Sequence, residues 1–118
     1  MRINIRFTDT ERDEQLRGYV EEKVSSFAKL MADREFDAAV CNIELKHSTH
    51  HHTGDVCYAE VTLEVEGKVH RSSKEEPTFE KAIDKVKDDI LQSLREAKER
   101  TEHKFIKGAQ KGKEMLRA

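Results

Sequence analysis

The chain has 118 residues, of which 36% are hydrophobic and 39% charged, with a formal net charge of -2. That is one domain's worth of sequence with room for a modest two-layer core. The charge balance excludes a bulk polycation, so nucleic-acid binding would require local segregation of Lys and Arg. No apolar run reaches membrane-spanning length, and "MRINIRFTDTERDEQ" lacks the apolar core of a signal peptide. The reading is a cytoplasmic protein with no membrane partner, in which a Cys41–Cys57 disulfide is not expected.

In chain order, "RINIRF" alternates, with Ile3, Ile5 and Phe7 on one face and Arg2, Asn4 and Arg6 on the other, as in a half-buried strand. Leu16, Val20, Val24, Phe27 and Met31 then recur at helical spacing. Asp13 is the candidate N-cap, with Thr10 paired to Asp13 as the alternative, and the helix should fade near "MADREFDA". Alternation returns in "AAVCNIELK", where Ala39, Cys41, Ile43 and Leu45 share a face. It returns again in "VCYAEVTLEVEG", where Cys57, Ala59, Val61, Leu63 and Val65 do. Between these strands lies "HSTHHHTGD", holding four of the chain's six histidines, which reads as a hairpin loop. Gly67 permits a tight turn into a short strand, "KVHRSS".

Pro77 and Thr78 prepare and cap a second helix with the stripe Phe79, Ala82, Ile83, Val86, Ile90, Leu94 and Ala97, expected to end near Phe105. Residues 106–118 read as a basic, mobile tail on a 1–105 domain. The order β-α-β-β-β-α, with one apolar side per element, predicts an α+β two-layer sandwich with both helices on one face of a four-stranded antiparallel sheet. This topology is like that of double-stranded-RNA-binding domains. The other sheet face, with Arg2, Arg6, Glu44, Lys46, Glu60, Glu64 and His70, should be wet.

Enzyme chemistry finds little support. There is no glycine-rich phosphate loop, nucleophile elbow or helical zinc motif. Ser25, Ser26, Ser72 and Ser73 could be nominated as nucleophiles, but no base can be placed beside them. A metal-binding regulator built on His47, His50, His51 and His52 with Asp55 is the alternative reading. Consecutive histidines do not converge on a point, however, and both cysteines fall on the inward face, so no cofactor and no defined metal site is assigned.

Basic charge is more informative. From Ala97 onward there are seven Lys or Arg against three Glu, in a chain that is net negative. Arg17 and Lys23 add to this on the first helix, and Lys81, Lys85 and Arg95 fall on the solvent side of the second. Such a ridge suits a phosphate backbone, although basic residues also favour a helix C-terminus on dipole grounds.

Four blocks carry a family resemblance: "MRINI", "LRGYVEEKVSSFAKL", "DVCYAEVTLEVEGKVHRSS" and "TFEKAIDKVKDDILQSLREAKER". Together they resemble the ribosome hibernation-promoting factors, also called ribosome-associated inhibitors or ribosomal subunit interface proteins, from Met1 to about Lys104. The resemblance implies a translation silencer that occupies the mRNA and tRNA channel of the small subunit under stress. It would act without a chemical step and recognise rRNA through phosphate and sugar contacts. It also implies a short form without the domain that pairs ribosomes, monomeric when free. A generic RNA-binding module is the further alternative.

Carried onto this sequence, the resemblance and the charge pattern nominate Arg17, Lys23, Lys29, Lys85, Arg95, Lys98, Arg100, Lys104 and Lys107 for rRNA contact. Lys23 and Lys29 stand where the family's first helix is basic, and Lys98 and Arg100 match basic positions late in its second. Asp89 and Gln92 depart from the Lys and Arg that many members carry in mid-helix. Arg95 falls where members are often uncharged, and Thr78 replaces the usual Asp cap.

Overall fold

In the computed structural model, the backbone is described for residues 1–50 and 54–117, and the side chains for 1–49 and 54–100. The elements are β1 (Arg2–Thr8), α1 (Glu14–Ser25), a 3-10 segment (Ser26–Leu30), α2 (Asp33–Ala38), β2 (Val40–His50), β3 (Gly54–Val65), β4 (Lys68–Glu76) and α3 (Phe79–Arg117). The four strands form one sheet in the order β1-β2-β3-β4, with helices packed on one face. That is the predicted α+β two-layer sandwich.

The sheet is mixed rather than antiparallel. β2-β3-β4 is an antiparallel meander, but β1 runs parallel to β2 with Ile3 opposite Cys41 and Phe7 opposite Leu45. The helical crossover between them returns the chain to the end where β1 began, so the next strand laid beside it must run the same way. The β-α-β order carried this information.

Strict alternation on β2 and β3 sends Cys41, Ile43, Leu45, Ala59, Val61, Leu63 and Val65 inward. They meet Ala82, Ile83, Val86, Ile90 and Leu94 of α3 and Leu16, Val20 and Val24 of α1 in one core. Each large side chain buried there contributes about 1.5–3 kcal/mol. Ile3, Ile5 and Phe7 of the edge strand β1 are only partly covered, as befits a sheet margin.

Asp13 caps α1, its carboxylate accepting from the amides of Gln15 at 2.9 Å and Leu16 at 3.2 Å. The helix does not fade gradually. The hydroxyls of Ser25 and Ser26 donate to the carbonyls of Glu22 and Lys23, and such local bonds compete with the α-helical ladder. The chain tightens there into the 3-10 segment, which still drives Phe27 fully into the core. A further short helix, α2, forms where the sequence reading saw only fraying, its start tied by a bond from the Ala32 amide to Glu35 Oε1 at 3.1 Å.

The histidine stretch is strand more than loop: the β2–β3 ladder continues to His50 opposite Gly54. His51, His52 and the side chain of His50 lie outside the described residues. At the other hairpin Glu66 and Gly67 adopt positive φ of 48° and 79°. This pair of left-handed residues makes a two-residue turn that sets Val65 opposite Lys68.

That register overturns one expectation. His70, placed on the wet face by the sequence reading, lies opposite Leu63 and points inward, 8% exposed, while Val69 points out at 62% exposure. Counting across a two-residue turn keeps Lys68, His70, Ser72, Lys74 and Glu76 on the face of Val65. β4 also runs past Ser73 to Glu76. Thr78 caps α3 by accepting from the Lys81 amide at 3.2 Å. α3 continues to Arg117, beyond the predicted end near Phe105. The basic-tail reading of 106–118 concerns side chains outside the described residues.

Candidate nucleic-acid interface

The nominated basic residues separate by what they already hold. Arg17 is flanked by Glu14 at 3.9 Å and Glu21 at 3.8 Å along α1. Lys23 reaches Asp84 Oδ1 at 3.6 Å and stands 5.0 Å above the Tyr19 ring. Lys85 is engaged by Glu76 at the end of β4, and this contact holds the Glu76 carboxyl below its ordinary range. Arg100 donates from Nε to the Glu96 carbonyl at 3.3 Å, and among the described residues its terminal nitrogens have no ion-pair partner. Lys29, Arg95 and Lys98 are exposed and have no ion-pair partner among the described residues. The side chains of Lys104 and Lys107 lie outside that set.

Asp89, at a position where the resemblance implies a basic residue, has a structural use. Its Oδ2 accepts from Ser72 Oγ at 2.6 Å and lies 3.6 Å from Lys74 Nζ. It therefore pins α3 to the polar inner face of β4. His70 Nδ1 does the same one turn on, meeting Ser93 Oγ at 2.6 Å. Burial, reinforced by the positive fields of Lys68 and Arg100, pushes His70 below its ordinary pKa. With His70, Ser72, Lys74 and Glu76 so engaged, the β4–α3 seam is bonded rather than greasy.

Lys29 and Lys98 come together at one end of the domain. A groove of about 650 Å³ opens there between the 3-10 segment, the β3–β4 turn and α3. Lys29, Lys68 and Lys98 line it together with Leu30, Met31, Val65, Leu94 and Ala97. Lys68 was missed in the sequence; the two-residue turn after Val65 is the signal that would have placed it. At the far end of the sheet His47 Nε2 lies 3.6 Å from Asp55 Oδ1. Among the described residues no group of three or more His, Cys, Asp or Glu gathers as metal ligands would. Among them, too, no helix is long and apolar enough to cross a membrane.

Fold and site together define a small α+β domain that offers a mixed-charge sheet on one side and, on the other, mixed-charge helices with a lysine-lined groove at one end. Residues 3–102 match the family described as sigma 54 modulation protein / S30EA ribosomal protein, and the chain belongs to it. Among solved structures it is similar to the N-terminal domain of Protein Y from Thermus thermophilus, with a TM-score of 0.63 and 23% identity, covering 81% of this chain and 98% of that one. It is also similar to a ribosomal subunit interface protein from Coxiella burnetii, with a TM-score of 0.67 and 15% identity, covering 83% and 98% respectively. At these identities the likeness speaks for the fold. No curated protein matches the chain.

Proposed function

We propose that this protein is a ribosome-binding translation silencer of the cytoplasm, acting at the subunit interface on the small subunit. Residues 1–105 form the binding domain and 106–118 a basic extension. The domain occupies the channel used by mRNA and tRNA under stress, keeps the ribosome inactive by occupancy, and needs no chemical step. The free protein is a monomer. The observation that carries this reading is the family match over residues 3–102, on a fold shared with a protein named for the ribosomal subunit interface. Lys29, Arg95 and Lys98, free of ion pairs among the described residues, supply the contacts to rRNA phosphates, helped by Arg100. Lys23, Lys85 and Arg17 contribute less, because binding there must first displace a carboxylate.

Co-sedimentation with purified small subunits tests this. Binding at low salt should weaken as salt rises, since each neutralised phosphate releases counterions. It should weaken further when Lys98 and Arg100 are reversed to Glu. A protein that stays in the supernatant at low salt would refute the reading.

A further inference from the structure

The groove at the Lys29 end has a composition that a purely electrostatic phosphate contact does not require. Its lysines come from three separate elements: Lys29 from the 3-10 segment, Lys68 from β4 and Lys98 from α3. None has an ion-pair partner among the described residues. The two acidic residues in its wall are occupied. Glu35 accepts from the Ala32 amide at 3.1 Å, and Glu66 Oε1 lies 3.5 Å from Arg34 Nη2. The apolar part of the lining comes from Leu30, Met31, Ala32, Val65, Leu94 and Ala97, of which Met31, Val65 and Leu94 are largely buried. A volume of about 650 Å³ falls within the roughly 300–1,000 Å³ typical of small-molecule sites. His70, which also lines the groove, is pushed down first by burial and then by the charges of Lys68 and Arg100.

Lysines and apolar side chains sharing one groove call for a ligand that is anionic at one end and flat and weakly polar at the other. A nucleotide has that form, and aromatic or apolar seating of a base adds to phosphate attraction without demanding sequence. We propose that this groove takes one unstacked nucleotide of an RNA strand, its phosphate held by Lys29, Lys68 and Lys98 and its base laid against the half-buried Leu30 and Ala97. The proposal rests on the ribosome-binding reading for its partner, but its chemistry can be tested apart from ribosomes.

The experiment titrates ¹⁵N-labelled full-length protein with decauridylate at low salt. Amide shifts should concentrate at Lys29, Met31, Val65, Leu94 and Ala97. Lys29→Glu and Lys98→Glu, both at exposed positions that leave the core intact, should each weaken binding about fivefold or more. Arg12→Glu, an equal change of charge outside the groove, should have an effect below about twofold. Shifts that avoid the groove, or equal losses in all three variants, would overturn the proposal. Inorganic polyphosphate producing the same shifts at the same concentration would also overturn it, since that polymer has no bases. Co-sedimentation of the same variants separates the two readings. Ribosome binding that weakens in Lys29→Glu and Lys98→Glu, with decauridylate shifts that avoid the groove, removes the groove alone. Failure of the wild-type protein to bind ribosomes removes the ribosome reading and leaves the RNA titration to judge the groove.

Discussion

Tyr19 on α1 donates its hydroxyl to Asp84 Oδ1 on α3 at 2.6 Å, and Lys23 approaches the same carboxylate from α1. The two helices are thus clasped above the core by a three-residue polar cluster at positions where a sequence reading sees only surface charge. The clasp has a price: it occupies Lys23, one of the family's expected rRNA contacts.

The bond to the Asp84 carboxylate, with burial second, pushes the Tyr19 phenol up to about 12. A raised pKa means stability fully present below the ordinary tyrosine range near 10 and lost as pH climbs through the folded value. Tyr19→Phe should cost about 1 kcal/mol at neutral pH in urea unfolding, the usual worth of one hydrogen bond. Asp84→Asn should bring Tyr19 ionisation back toward 10, read by phenolate absorbance. An unchanged titration would show that the carboxylate is not the cause.

Asp89 and Gln92 sit three residues apart on α3, where the resemblance implies basic residues, yet only Asp89 is structurally committed. Asp89→Lys breaks the bond from Ser72 and sets like charge against Lys74, so it should lose about 1–2 kcal/mol of stability. Among the described residues Gln92 makes one exposed side-chain bond, to Glu96 at 3.2 Å, and Gln92→Lys should stay within about 0.5 kcal/mol. If Gln92→Lys gains a phosphate contact on the ribosome, the salt dependence of co-sedimentation steepens by about 0.7–0.9 in log–log slope. Equal destabilisation by the two changes would contradict the β4–α3 pin.

His70 gives the domain an acid limb. Its folded pKa lies below its unfolded value, so between the two the unfolded chain binds more protons and stability falls as pH drops. The loss should begin below about pH 6.5. In urea midpoints measured from pH 7.5 to 5, His70→Leu should start less stable, with Ser93 left unpaired, but vary less with pH. A variant that keeps the wild-type slope would assign the acid limb elsewhere.

Burial pushes the Cys41 thiol up to about 12 and raises that of Cys57 as well. Cys57 also donates weakly to the Pro77 carbonyl at 3.6 Å. Neither thiol should react with a disulfide reagent in the native state at pH 8, and both should react on unfolding. Rapid native labelling of either would contradict its inward placement.

Much of this architecture was legible in the residues. Alternation in β2 and β3 named the inward set from Ala39 to Val65, and the stripe on α3 named Ala82 to Leu94, because burial on one face leaves period 2 or 3.6 in the sequence. Asp13 and Thr78 announced their helices through cap chemistry. What escaped depended on geometry between elements. The parallel pairing of β1 follows from a crossover, the inward turn of His70 from the length of the Glu66–Gly67 hairpin, and the groove from three lysines far apart in sequence. The break at Ser25–Ser26 escaped because the apolar stripe continues through it.

The polar inner face of β4 also bears on how the domain breathes. Apolar contacts between strand and helix give way only when the core opens, whereas the side-chain bonds joining β4 to α3 can be exchanged one at a time for bonds to water. The segment Lys68–Glu76 should therefore form its own low-energy opening unit, with amide protons that exchange sooner than those of the β2–β3 ladder. Because Lys68 begins that unit and walls the groove, RNA seated there would slow exchange along the whole edge strand.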